Sequence, residues 1–222
     1  MAPDGDRRVL RFPDGGWAEA IGGHPALDLL NTVAWRRDAA RTVDRLVDGP
    51  ALVRWARWAG VLDDDQAAAF TRELAEDGRS GDRVTEQVRE GRERLHRVVQ
   101  PIATGAEPAP ADVDVLRTWL LEALGRSRLA TVMPLEWATG LGSLRDLPDA
   151  LALHAWHLLD QEDPRRLRQC QDRECGWLFL DRTRNASRIW CSSADCGNRT
   201  RARRHYERRA RRPQGRDRAA PR

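Results

Sequence analysis

The chain has 222 residues, 41% of them hydrophobic and 32% charged, with nine tryptophans and four cysteines. That is enough apolar surface for one substantial core and a small satellite module. No apolar run approaches the ~20 residues needed to cross a bilayer and nothing near the start resembles a secretory signal, so a soluble, cytoplasmic protein with no membrane partner is expected.

The formal net charge of +4 hides a dipole. Residues 165–222 carry 18 Arg against 6 Asp and Glu, a net +12, while the first 164 carry 20 Arg against 28 acids, a net −8. Lysine is absent. A GC-rich coding sequence would explain that, as would selection for the forked guanidinium that grips phosphate. An arginine-rich end on an acidic body points to a polyanion as partner.

Residues 1–16, rich in Pro and Gly, read as a mobile lead-in. From His24 to about Arg37 the spacing of Leu27, Leu30 and Ala34 predicts a helix with Pro25 in its first turn. His24, Asp28 and Asn31 share one face of it. They either cap and cross-link that helix or line a pocket for a small ligand. Asp48-Gly49-Pro50 starts a second helix, closed by Gly60, whose Trp55 and Trp58 are expected in the core. Asp63, Asp64 and Asp65 cap a third, carrying Phe70 and Leu74 and ending near Gly78. A longer helix follows from about Asp82 to Ala103, and another, marked by Val113, Leu116, Trp119, Leu120 and Leu124, runs to Gly125. Arg128–Val132 and Leu135–Trp137 predict a short hairpin turning at Met133-Pro134. Asp146 is expected to cap a last helix of the body, with Pro148 early in it, and Asp163-Pro164 breaks it. His154 and His157 stand three apart on that helix and read as ordinary helix residues. The pattern contains no phosphate loop, no nucleophile motif and no repeat, so no catalytic residue is assigned and no enzyme is expected.

All four cysteines fall in one stretch, Cys170, Cys175, Cys191 and Cys196, spaced C-x4-C-x15-C-x4-C. Two close pairs across a short loop can close a tetrahedral thiolate shell around one zinc ion, and a shell filled by four cysteines leaves no open position, so the metal is expected to be structural. Between the pairs, Trp177-Leu178-Phe179-Leu180 and Ile189-Trp190 predict the two strands of a hairpin. Cys196-Gly197 opens an arginine-dense helix to about Arg212, stopped by Pro213. The expected fold class is mainly α: a helical N-terminal domain with a short β-hairpin, then a small treble-clef-like zinc finger built of a hairpin and a basic helix. The expected boundaries are residues 1–16, 17–162, 163–212 and a flexible tail, 213–222.

The run Cys170 to Arg209, with CGWLFLDRTRN between the pairs and CGNRxRARRHYxRR after them, resembles the CGNR-type zinc finger of many bacterial proteins. Gly22-Gly23-His24-Pro25-Ala26-Leu27-Asp28-Leu29-Leu30-Asn31-Thr32 resembles the opening of the ABATE domain that precedes that finger. The resemblance covers nearly the whole chain. It implies a stress-related transcription regulator that binds DNA through a finger ligated by the four cysteines.

Within the helix, Asn198, Arg199, Arg201, Arg203, Arg204, Arg208 and Arg211 are the expected nucleic-acid contacts. Arg201, Arg204, Arg208 and Arg211 are expected on phosphates, with Asn198 and Arg199 at base edges. One finger reads few base pairs, which leaves the helical body to supply a homodimer contact or to receive a small-molecule effector. Two other readings stand beside DNA: an RNA- or ribosome-associated zinc protein, and a ligand-binding or enzymatic helical domain with the finger as an interaction module.

Overall fold

The computed structural model describes residues 9–11 and 17–210; most of the expected lead-in, the tail 213–222 and Arg211 lie outside the described residues. The part of the lead-in that is described, β1 (Val9–Arg11), pairs antiparallel with β2 (Trp17–Glu19). α1 (Pro25–Leu30) follows, then a hairpin of β3 (Val33–Ala34) and β4 (Val43–Asp44). Four helices come next: α2 (Gly49–Trp58), α3 (Asp64–Glu76), α4 (Gly78–Ala103) and α5 (Pro110–Arg126). The β5 (Arg128–Thr131) and β6 (Glu136–Ala138) hairpin leads to α6 (Leu147–Gln161), the β7 (Leu167–Gln169) and β8 (Leu178–Leu180) hairpin, and α7 (Asn198–Ala210). The chain is mainly α with small hairpins, as the sequence implies.

Local signals explain most boundaries. The Asp48 carboxylate accepts the Ala51 N–H at 2.7 Å and starts α2, and Asp63 and Gln66 form a reciprocal box at the start of α3. Pro110 sits in the first turn of α5. Asp146 precedes α6 without capping it; its carboxylate accepts the Gly142 and Ser143 N–H groups instead.

Two expectations are corrected. The helix read from His24 to Arg37 stops at Leu30, because the Asn31 side chain is spent on another strand, the β-branched Thr32 and Val33 favour extension, and Trp35 adopts a left-handed φ of 57°. The finger's hairpin does not lie between the cysteine pairs. β8 pairs with β7, which precedes Cys170, and Ile189–Trp190 forms no strand; Gln171 N–H donating to Ile189 O at 3.0 Å is what ties that segment down.

One core packs α2, α3, the first half of α4 and the first half of α6 around Trp55, Phe70, Leu144 and Leu151. A second packs α1, the rest of α4, α5 and α6 around Leu27, Leu30, Leu95 and Val99. At Gly91 a Cβ would come within 2.6 Å of the Trp119 ring, so glycine is what lets α4 and α5 approach. The second core also contains Leu167, Leu178 and Leu180 of β7 and β8. The zinc-finger hairpin is therefore part of the helical domain's interior. Phe179, pointing the other way along the strand, faces the cysteines.

Candidate metal centre and nucleic-acid interface

The four cysteines are all buried, none is in a disulfide, and their Sγ atoms lie within 4.8 Å of one another. The Cys175–Cys191 and Cys191–Cys196 Sγ separations are 3.7 Å and 3.4 Å. Tetrahedral thiolates on zinc at ~2.3 Å would stand ~3.8 Å apart, so the donor set fits one zinc ion. The shell is closed, so the bound ion supplies folding free energy and leaves no position for substrate.

The knuckles are held by their own neighbours. Asp172, fully buried between Cys170 and Cys175, accepts from Glu174 N–H at 3.0 Å, Arg199 Nε at 3.0 Å and Thr200 Oγ1 at 3.2 Å. Burial alone would raise its pKa, but these donors outweigh it and hold the carboxyl below its ordinary range. Asp181 does the same for the second loop, accepting from Thr183 N–H at 2.9 Å and Arg188 N–H at 2.8 Å. The Arg188 guanidinium lies 4.2 Å from the Phe179 ring and donates to Ile21 O and Trp190 O. Ser193–Gly197 make a single wide π turn carrying Cys196, and α7 continues directly from it.

The residues expected at base edges have other partners here. Arg199 donates through Nε to Asp172, through Nη1 to Asp195 at 2.8 Å and through Nη2 to the Cys196 Sγ at 2.9 Å. Asn198 donates to Ala194 O at 2.7 Å and accepts from Arg201, which also reaches Ser193 O. Both therefore fasten the helix start to the metal centre. Arg203 approaches Glu174 at 4.0 Å. Arg204, Arg208 and Arg209 are exposed and make no ion pair among the described residues. Arg201, Arg204, Glu207 and Arg208 line an open concavity of about 490 Å³.

His24, Asp28 and Asn31 also have structural partners. His24 Nδ1 accepts the Ala26 N–H and caps α1, with its ring edge-on to His154 at 6.4 Å. Asp28 accepts the Gly22 N–H at 2.8 Å, and burial pushes its carboxyl up to about 7, against the opposing pull of the Gly22 and Ile21 N–H groups. Asn31 takes both polar groups of one residue in β8, donating to Leu178 O at 2.8 Å and accepting from Leu178 N–H at 2.9 Å. Leu180 N–H adds a bond to Gly22 O at 2.9 Å. The segment Gly22–Thr32 is thus a receptor for β8.

A family model described as Putative stress-induced transcription regulator, ABATE, matches residues 23–162, and one described as CGNR zinc finger matches residues 166–209. The chain belongs to the ABATE family. A search of curated proteins found no match. The matched families are regulatory and zinc-binding, not enzymatic, and among the described residues no helix is long and apolar enough to cross a membrane. The ABATE match ends at Glu162, while its core continues into β7 and β8 of the CGNR match.

Sequence reasoning missed Asp172 and Trp35 as parts of the finger. Asp172 was legible only as a turn residue between ligands. Trp35 stands 135 residues before the first cysteine, in a stretch whose apolar spacing reads as helix, with no local signal of its contact.

Proposed function

We propose that the protein is a DNA-binding transcription regulator whose contact surface is the exposed arm of α7, held at its base by a zinc-dependent joint. The observation that carries this reading is the set Arg204, Arg208 and Arg209: three cations without ion pairs among the described residues, on a helix exposed nearly all round beyond Thr200. Like charges four apart, as in Arg204 and Arg208, weaken a helix in isolation. Phosphates relieve that repulsion, and clustered arginine is the electrostatic footprint of a nucleic-acid site.

In this assignment Arg201, Arg204 and Arg208 contact phosphates from the concavity they share, with Arg203 beside them. Asn198 and Arg199 set the position of the helix. The helical body receives the regulatory input, a small-molecule effector included, and supplies the contact to a second copy that specific reading by a single helix requires. The β5–β6 hairpin supports that last role: Val132, Met133 and Leu135 are 76%, 93% and 63% exposed. Sedimentation of the zinc-loaded chain with and without Met133→Glu tests it.

RNA is the second reading, and Tyr206 favours it. The ring is 70% exposed, edge-on to His205, on the same arginine helix, where it could stack on an unpaired base. Mobility shifts of the zinc-loaded protein with duplex DNA and with structured RNA at equal ionic strength decide. Tighter binding to duplex, abolished by Cys175→Ala, supports regulation at DNA. Preference for RNA that falls with Tyr206→Ala moves the assignment to an RNA-associated protein.

A further inference from the structure

The β3–β4 connection of the ABATE region reaches across to the finger at a point that no part of the proposed contact surface uses. Trp35 leaves β3 in the left-handed region, φ 57°, a conformation that bulky side chains rarely adopt. The turn is closed by Asp38 N–H and Thr42 Oγ1, both donating to Trp35 O. Two guanidinium groups lie over the Trp35 ring, Arg41 at 3.5 Å and Arg199 at 4.5 Å from its centre. Arg41 is itself tied to the first knuckle through Glu174 at 2.9 Å. Arg199 is the residue that donates to Cys196 Sγ and to Asp172. On either side of Trp35, Val33 O accepts the Trp177 Nε1–H at 3.0 Å and Arg36 N–H donates to Cys175 O at 3.1 Å.

We propose that Trp35 is a positioning residue for the arginine helix: the ABATE region grips the Arg199 guanidinium through this ring, and the grip sets both the direction of α7 and the retention of zinc by Cys196. A guanidinium that already directs one N–H from each of its three nitrogens to a ligand sulfur, a buried carboxylate and Asp195 is fixed in orientation, and what meets it from the helical body is the Trp35 ring. Trp is the aromatic that holds a cation there most strongly. A strained backbone retained at such a contact is expected where the surrounding structure over-determines it. The loop also carries Arg36 and Thr42 into the open groove along α4, beside Arg92, Glu93 and Asp44 of β4, so movement in that groove has a direct mechanical route to the helix.

This inference extends the proposed function but is read out independently of it. Zinc-loaded full-length protein and its Trp35→Ala variant are compared by amide hydrogen exchange across Arg199–Ala210 and by the rate of zinc loss to a chromogenic chelator. Expected are exchange and zinc loss faster by roughly threefold to tenfold, the range a cation–π contact implies, with partial rescue in Trp35→Phe. Circular dichroism checks that the body stays folded. Should Trp35→Ala unfold it, Trp35→Phe and Trp35→Leu, which keep apolar bulk at the site, are compared instead, and exchange and zinc loss are expected to be slower in the Phe variant, which keeps an aromatic face for Arg199. Unchanged exchange and unchanged zinc loss in the folded variants overturn the proposal. Where nucleic acid binds, Trp35→Ala should weaken binding with the salt slope intact, whereas Arg204→Gln should reduce the slope. If the unaltered chain binds no nucleic acid, the functional reading falls while the exchange and zinc measurements still decide the role of Trp35.

Discussion

Asn31 shows how much one side chain can settle. Its amide copies the pairing face of a strand, offering a donor and an acceptor to the same buried residue of β8, Leu178. Asn31→Ala leaves the Leu178 N–H and C=O without partners in the interior, a cost of about 2–4 kcal/mol, read from the denaturant midpoint at unchanged m. Asp28, one turn earlier, makes a pH prediction. Burial raises its carboxyl from 3.8 to about 7, so the folded chain holds the proton more tightly than the unfolded one. Its stabilising contribution is fully present below pH 3.8 and is lost as pH rises toward 7. His24 and His96, both held down to about 4 chiefly by burial, act oppositely: their contribution is full above 6.5 and is lost as pH falls through 4. Asp28→Asn removes only the first effect. The stability gained by that variant should grow by about 2 kcal/mol between pH 5 and pH 8, and a gain independent of pH would show that burial does not govern this carboxyl.

At the scale of elements, β8 serves two cores at once. Leu178 and Leu180 enter the helical interior while Phe179 faces the cysteines, which is the period-2 alternation of a strand buried on both sides. Leu178→Ala should destabilise the whole chain by about 2–4 kcal/mol, as for other large-to-small core changes, with zinc still bound at one equivalent. The apolar run Trp177–Leu180 was legible as a strand, but its partner was not: β7 reads LRQ, too short and too polar to signal pairing. The same limit explains α1. Leu27, Leu30 and Ala34 repeat at helical spacing, yet the helix stops because the Asn31 side chain is recruited by a residue 147 positions away. The caps at Asp48 and Asp63, though not the one expected at Asp146, together with helices α2 to α5, the β5–β6 hairpin and the cysteine spacing, are local and could be read directly. The partners of Arg199 are not: nothing in CGNR distinguishes an arginine aimed outward from one folded back onto Cys196, Asp172 and Trp35.

For the whole molecule, the consequence is that the helical body and the finger share one core. A basic tail joined to an acidic body by a flexible linker would report little of what the body experiences. Here the join is a shared core, an Asn31 clamp and a stacked Trp35, so the zinc centre and the ABATE helices should unfold together. Chelation at neutral pH is expected to lower the thermal midpoint of the helical domain, in one transition followed equally by helix content and by tryptophan emission. Two separate transitions would mean the finger folds on its own. Whether α7 presents its outer arginines to a phosphate backbone is read from the salt dependence of duplex binding. For the zinc-loaded chain, log K should fall linearly with log salt, and replacing Arg204, Arg208 and Arg209 together by Gln should reduce that slope by roughly 2 to 3. Equal slopes for the unaltered and triply substituted chains would contradict it.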